Sequence, residues 1–153
     1  MKHDSTVNIP AQPRHSSAVS ATGLALLVCV FSTPAATYHV DGVSGDDSQS
    51  GASTAQAWKS LDRVNAQVFQ PGDQLLFKSG SRWAGQLCPQ GSGRLDGDRV
   101  VPITIGKYGG GPRPRIDGEG KVLDTLLLRN VEFWEVSDLE ITKLGTNREP
   151  WRT

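Results

Sequence analysis

A chain of 153 residues sets a single domain as the expectation, and 17 Gly with 9 Pro describe a chain of many turns rather than long helices. Lys and Arg number 16 and Asp and Glu 16, so no overall positive field draws in nucleic acid and no block of like charge forms a tail. An all-helical fold and a nucleic-acid partner are both disfavoured.

Residues 1–36 stand apart from this composition. Lys2, Arg14 and His15 precede an apolar stretch, Leu24 to Phe31, and the small residues Ser32, Thr33, Ala35 and Ala36 follow. This is the order of a secretory signal peptide, so export is expected, with 37–153 as the mature chain. The apolar run is too short to span a bilayer, and cleavage after Ala35 or Ala36 leaves a chain starting near Tyr38. A disordered tail with a chance apolar patch is the competing reading. A lipid anchor at Cys29 is the weaker idea, because Val28 fills a place where a small residue is expected. Removing Cys29 leaves Cys88 unpaired, so the mature chain has no internal disulfide and needs another source of stability, either a continuous core or metal or partner binding.

The mature chain opens with an alternating strand, Tyr38 and Val40 on one face, and breaks into a polar loop from Ser44 to Ser53. Asp46 and Asp47 with Ser48 and Ser50 offer oxygens to Ca²⁺, but they lack the alternate-position acids and distal glutamate of a helix-loop-helix calcium site. A solvated turn is the simpler reading. In "AWKSLDRVNAQVF", Trp58, Leu61, Val64 and Val68 recur at steps of three and four, with Lys59, Asp62 and Arg63 opposite. That spacing predicts an amphipathic helix of about three turns, its stripe covering a core.

In "FQPGDQLLFKSGSRWAG", Pro71 sets φ for a turn, Gly72 supplies φ > 0, and Asp73 has a carboxylate for nearby amides, so a strand starts near Gln74 and stops at Gly80. Short pieces divided by Gly and Pro follow, among them "VVPITIGKYGGG", "RPRIDGEG", "VLDTLLLRN" and "VEFWEVSDLEIT", which is an all-β pattern. In the last piece Val131 and Phe133 have one parity, Trp134 and Val136 the other, and Leu139 with Ile141 return to the first. Such phase resets mark corners, one at Ser137–Asp138 and another at Asn130, a residue that tolerates the left-handed region. An apolar residue followed by Asp-Gly also recurs at Val40, Leu95 and Ile116, at unequal intervals, and reads as shared turn chemistry.

In the order "YHVDGVSGDDSQSG", "WKSL", "PGDQLLF", "PITIGKYGGGPRPRIDG" and "FWEVSDLEIT", the mature chain resembles the secreted right-handed parallel β-helix proteins of the pectate lyase and polysaccharide-degrading type. The resemblance implies an all-β fold, a right-handed parallel β-helix whose first coil is closed by the amphipathic helix, acting as a monomer on a polysaccharide. Members of that type carry many more coils, so the chain, ending at "KLGTNREPWRT", reads as an N-terminal fragment without its active site. The family's lyases hold Ca²⁺ on aspartates beside a basic Arg or Lys that removes the proton next to a uronate carboxylate, and its hydrolases use paired carboxylates. Both sites come from central coils, so no family catalytic residue transfers to this chain, and its catalytic residues, metal and cofactor stay unassigned.

The candidates that remain are Asp117 with Glu119, and Asp138 with Glu140, two apart on one strand and so on one face. Turn chemistry and solvent-facing strand acids account for both pairs equally well. His39 is the only histidine after residue 36, while Trp83, Trp134 and Trp151 are candidates for stacking on sugar rings, with core packing the alternative. The leading expectation is a polysaccharide lyase or glycosidase. A non-enzymatic, adhesin-like scaffold is its rival, and a β-sandwich carbohydrate-binding module the third reading.

Overall fold

The structure, a computed structural model, describes residues 34–143. Nearly all of the expected signal peptide, and Trp151, lie outside the described residues. In chain order the elements are strand β1 (Thr37–Val40), a 3-10 turn (Thr54–Gln56), helix α1 (Leu61–Asn65), then β2 (Val68–Phe69), β3 (Gln74–Lys78), β4 (Arg82–Ala84), β5 (Gln90–Gly91), β6 (Arg94–Asp96), β7 (Arg99–Val101), β8 (Ile103–Tyr108), β9 (Arg115–Asp117), β10 (Trp134–Val136) and β11 (Glu140–Thr142). No helix among them is long and apolar enough to cross a membrane.

The strands form a four-stranded sheet in the order β1-β3-β8-β10, a three-stranded sheet β11-β9-β4, and the pairs β2-β5 and β6-β7. Every pairing is parallel except β6 with β7. Three successive stretches of chain each give one strand to the larger sheet and the next to the smaller one: β3 then β4, β8 then β9, β10 then β11.

The core follows from alternation along these strands. Tyr38, Leu75 and Ile105 stand side by side across β1, β3 and β8, as do Val40 and Phe77, so one face of the large sheet is apolar. Val40, Leu75, Phe77, Ile103 and Ile105 are fully buried there, joined by Trp83, Leu87 and Ile116 from later turns and by Trp58, Leu61 and Val64. Each such side chain contributes roughly 1.5–3 kcal/mol on burial. Aromatic contacts tie the parts together: Tyr38 stacks on Trp58 at 4.9 Å between centroids, and Phe77 meets Trp83 edge-on at 5.0 Å.

The helix is shorter than its periodicity predicts, five residues rather than three turns. It starts cleanly, because the Ser60 hydroxyl accepts the Arg63 amide at 3.1 Å and the Asp47 carboxylate accepts the amides of Lys59 and Ser60 at 2.7 and 2.9 Å. At its end the Ala66 amide bonds back to the Asp62 and Val64 carbonyls, and the Asn65 side chain ties this end to the later chain: its Nδ2 donates to the Gln86 carbonyl at 2.9 Å and its Oδ1 accepts the Cys88 amide at 2.7 Å. The chain then enters β2, leaving Val68 53% exposed rather than on the buried stripe. Trp58 reaches the core from an extended segment bridged to Val40, not from the helix.

The turn chemistry is as the sequence implies. Gly72 has φ +91°, and the Asp73 carboxylate accepts the amides of Gln70 and Ala36, each at 2.8 Å. Asn130, Phe133 and Asp138 adopt φ near +55°, placing corners on both sides of β10. Gly97, the first residue of the two-residue β6–β7 loop, has φ +62°, as a type II′ hairpin requires.

The all-β expectation holds. The finer one, a right-handed parallel β-helix capped by a three-turn helix, is corrected: the described residues form short sheets of two to four strands, one pair antiparallel, with a helix of little more than one turn. The physical reason is the density of breakers, since glycines and other positive-φ residues interrupt the chain so often that the longest strand has six residues.

Candidate functional site

The three-stranded sheet sorts its residues into rows. Arg82, Arg115 and Glu140 are neighbours across β4, β9 and β11, and so are Ala84, Asp117 and Thr142, while Trp83, Ile116 and Ile141 alternate between them. Trp83 and Ile116 are buried, so the charged rows face outward. Trp83 is held by its Nε1, which donates to the Lys59 carbonyl at 2.8 Å. The result is a cleft of about 290 Å³ lined by Arg82, Trp83, Ala84, Arg115, Asp117 and Glu119.

Arg115 and Glu140 form an ion pair within this surface. The hydrogen bond from Arg115 holds the Glu140 carboxyl below the usual carboxylate range against the opposing effect of burial, with the charges of Arg115, Arg82 and Arg113 adding to it. The same bond pushes the Arg115 guanidinium up. Glu119 pairs with Lys121 at 2.6 Å, and its own amide donates to the Asp117 carboxylate at 2.8 Å. Arg115 Nε and Thr142 Oγ1 are buried at this edge without a hydrogen-bond partner among the described residues.

A second polar group closes the end of the large sheet. The buried Asp41 carboxylate accepts the amides of Val43 and Ser44 at 2.9 and 3.1 Å and takes an ion pair from Lys78 at 2.6 Å. Burial pushes that carboxyl up, but the Lys78 and amide bonds outweigh it and hold it below its ordinary value. The neighbouring Tyr108 hydroxyl is buried without a partner among the described residues, and burial, then the Asp41 charge, push its pKa up to about 12. His39 lies edge-on to Tyr108 at 5.1 Å, with Nδ1 3.3 Å from the Gly51 carbonyl oxygen. These contacts brace a loop.

Of the expected site residues, the structure brings together Asp117 and Glu140, on adjacent strands of one face. Asp138 is not beside Glu140 on a strand; it occupies the corner before β11 with φ +55°. Asp46 accepts the amide and hydroxyl of Ser48 at 2.9 and 2.8 Å, and Asp47 serves the helix start, so both loop acids have structural work. No group of three His, Cys, Asp or Glu among the described residues is placed to hold a metal ion. Trp134, partly buried, packs edge-on to Phe69 at 5.7 Å and donates from Nε1 to the Gly91 carbonyl at 2.9 Å, and Trp83 is 7% exposed, so both pack against the core. Sequence reasoning missed Arg82 and Arg115. Their signal is the triplets "RWA" and "RID", each a charged residue one place before a buried apolar one, with "EIT" repeating the pattern around the more exposed Ile141.

No family model matches the chain. It is 35% identical over 133 residues to a lacto-N-biosidase of Bifidobacterium longum subsp. longum, an alignment covering 69% of this chain and 8% of that protein. The chain is similar to glycoside hydrolases. Two crystal structures of the GH136 lacto-N-biosidase from Eubacterium ramulus, a selenomethionine derivative and the native protein, superpose with TM-scores of 0.65 and 0.60 at 29% and 28% identity. Each match covers 74% of this chain and 21% of that one, so the chain spans only a small part of these relatives' length. The resemblance to the pectate lyase type is corrected by these matches. The relatives named here are lacto-N-biosidases, a glycoside hydrolase activity, and they give no support to lyase chemistry. A carbohydrate-degrading relationship stands.

Proposed function

We propose that this chain is part of a secreted glycoside hydrolase acting on lacto-N-biosides or closely related oligosaccharides. The observation that carries the reading is the 35% identity to a lacto-N-biosidase across 69% of the chain. Export is supported by the basic, apolar and small-residue order before Tyr38. The outward rows of Arg82, Arg115 and Asp117 support a role in holding hydroxyl-rich ligands, because guanidinium donors and carboxylate acceptors match the two halves of a sugar hydroxyl. Glu140 suits such a role better than acid catalysis. A general acid needs its pKa raised, whereas Arg115 holds this carboxyl down.

The test is hydrolysis of an aryl lacto-N-bioside by the whole protein that contains this chain, read as released disaccharide and phenol. Turnover is expected there, with none from the 153-residue chain alone, which corresponds to 8% and 21% of its relatives. No hydrolysis of any glycoside by the whole protein overturns the proposal in favour of a non-enzymatic scaffold.

A further inference from the structure

Asp73 is 2% exposed, and among the described residues its carboxylate accepts two backbone amides: Gln70 N–H on Oδ2 and Ala36 N–H on Oδ1, each at 2.8 Å. Among the described residues no Lys, Arg or His side chain forms an ion pair with it. A buried carboxylate without a cation is costly, and the molecule normally supplies one. Ala36 lies at the boundary where the sequence places the end of an export signal, with Ala35 before it exposed.

We propose that the mature chain begins at Ala36 and that its new α-ammonium is the missing partner of Asp73. This rests on the export reading given above. In the cleavage step a leader peptidase adds water across the Ala35–Ala36 peptide bond. The carbonyl carbon leaves as the Ala35 carboxylate, and the nitrogen, taking up protons, becomes the Ala36 ammonium.

The geometry selects this bond over the next one. The Ala36 nitrogen already lies 2.8 Å from Oδ1, so cleavage before it converts a neutral donor into a charged one in place. The Ala36 carbonyl also accepts the Gln74 amide at 2.8 Å, at the head of β3. Cleavage after Ala36 would strip both bonds, leaving the buried Oδ1 without a donor and the first amide of β3 without an acceptor. Thr33 and Ala35 further provide the two small residues, one apart, that such a site needs. Processing thereby strengthens the β1–β3 end of the fold, and the uncleaved precursor lacks this ion pair.

The experiment uses the whole protein expressed with its own leader in an exporting host. N-terminal sequencing should give Ala36 as the first residue. The rate of α-amine acylation is then followed against pH, in the folded protein and in urea. An ammonium paired with a carboxylate titrates above the usual range of about 7.7–8.0, and a rise of one unit slows acylation at neutral pH about tenfold. Burial alone would lower that pKa, so the direction distinguishes the two without any variant. The Tyr38 hydroxyl is the other titratable group here: burial and the Asp73 charge raise it, and the Arg63 guanidinium lowers it. Asp73→Asn should bring the folded-state rate up to that in urea or above it, because only burial then acts on the amine.

A secreted product beginning at Thr37 or beyond overturns this inference alone. A retained product with its leader intact overturns it together with the export reading. An Ala36 amine whose pKa is unchanged or lowered on folding shows that no ion pair forms and overturns the lock.

Discussion

Replacing Trp58 with Ala should be among the most damaging changes to this chain. The side chain is fully buried, its ring stacks on Tyr38 at 4.9 Å, and its Nε1 donates to the Gln49 carbonyl at 3.0 Å. The Arg63 guanidinium sits 4.2 Å from the ring centroid, and a Cβ built on Gly51 would lie 2.6 Å from the ring, so the loop wraps the indole closely. Truncating a buried Trp costs about 3–5 kcal/mol, part of it the cavity left behind. The upper half of that range is expected, because the stack adds roughly 0.5–1.5 kcal/mol and the cation about 0.5–1 kcal/mol to simple area burial. Against a total of about 5–15 kcal/mol this is a large share. Urea denaturation followed by far-UV circular dichroism reads it directly. With a slope of about 2 kcal/mol per M, the midpoint should fall by roughly 2 M. Trp58→Phe keeps an aromatic partner for Tyr38 and loses the Gln49 bond, so it should cost about 1–2 kcal/mol. An Ala variant with the wild-type midpoint would refute the claim that this indole joins the 44–53 loop to the core.

Two glycines with positive φ should respond differently to alanine: Gly51→Ala meets Trp58 at 2.6 Å and should cost several times more than Gly97→Ala, where nothing lies within 4 Å and only about 1 kcal/mol of backbone strain applies. Equal melting temperatures for the two variants would contradict this. Tyr108→Phe should leave stability unchanged or raise it by about 1 kcal/mol, since the buried hydroxyl has no partner among the described residues; a clear loss in thermal melts would show that it has one. Both tyrosines are pushed above their ordinary value, Tyr108 to about 12, so absorbance should show little tyrosinate at pH 10 in the folded protein, and stability should be full below pH 10 and fall as pH rises through 12. Glu140, held low by Arg115, stabilises the fold above the ordinary glutamate pKa and loses that contribution as pH falls through its own lowered value; a carboxyl titration by NMR should show this, and Arg115→Ala should return the midpoint upward.

Local chemistry was legible where one residue type has one use. Gly72, Gly80, Asn130 and Asp138 were readable as turn or corner residues, and all four have φ > 0. The start of β3 at Gln74 followed from the same turn. The helix length was not legible, because the periodicity from Trp58 to Val68 is shared by a bridge, a short helix and a strand in succession, and a linear pattern does not separate them. The charged face was half legible. Acids two apart in sequence were visible, but the partners that matter lie on strands remote along the chain, as Arg115 and Glu140 do, and a linear pattern carries no register. Family membership was misjudged for a related reason: turn and strand signals report architecture, and many activities share such signals.

Apart from the β6–β7 hairpin, each strand pairs only with segments far away in the chain. No parallel pair here can close until the intervening turn, strand and corner have been laid down, so most pairing waits on loop closures of high contact order. Synthesis from the N-terminus suits such an arrangement. β1 exists before β3 needs it, β3 before β8, and β8 before β10, so each arriving strand meets a template already made. Refolding from denaturant presents every strand to every edge at once. The same sequence should therefore reach its structure more cleanly from the ribosome than from a dilution.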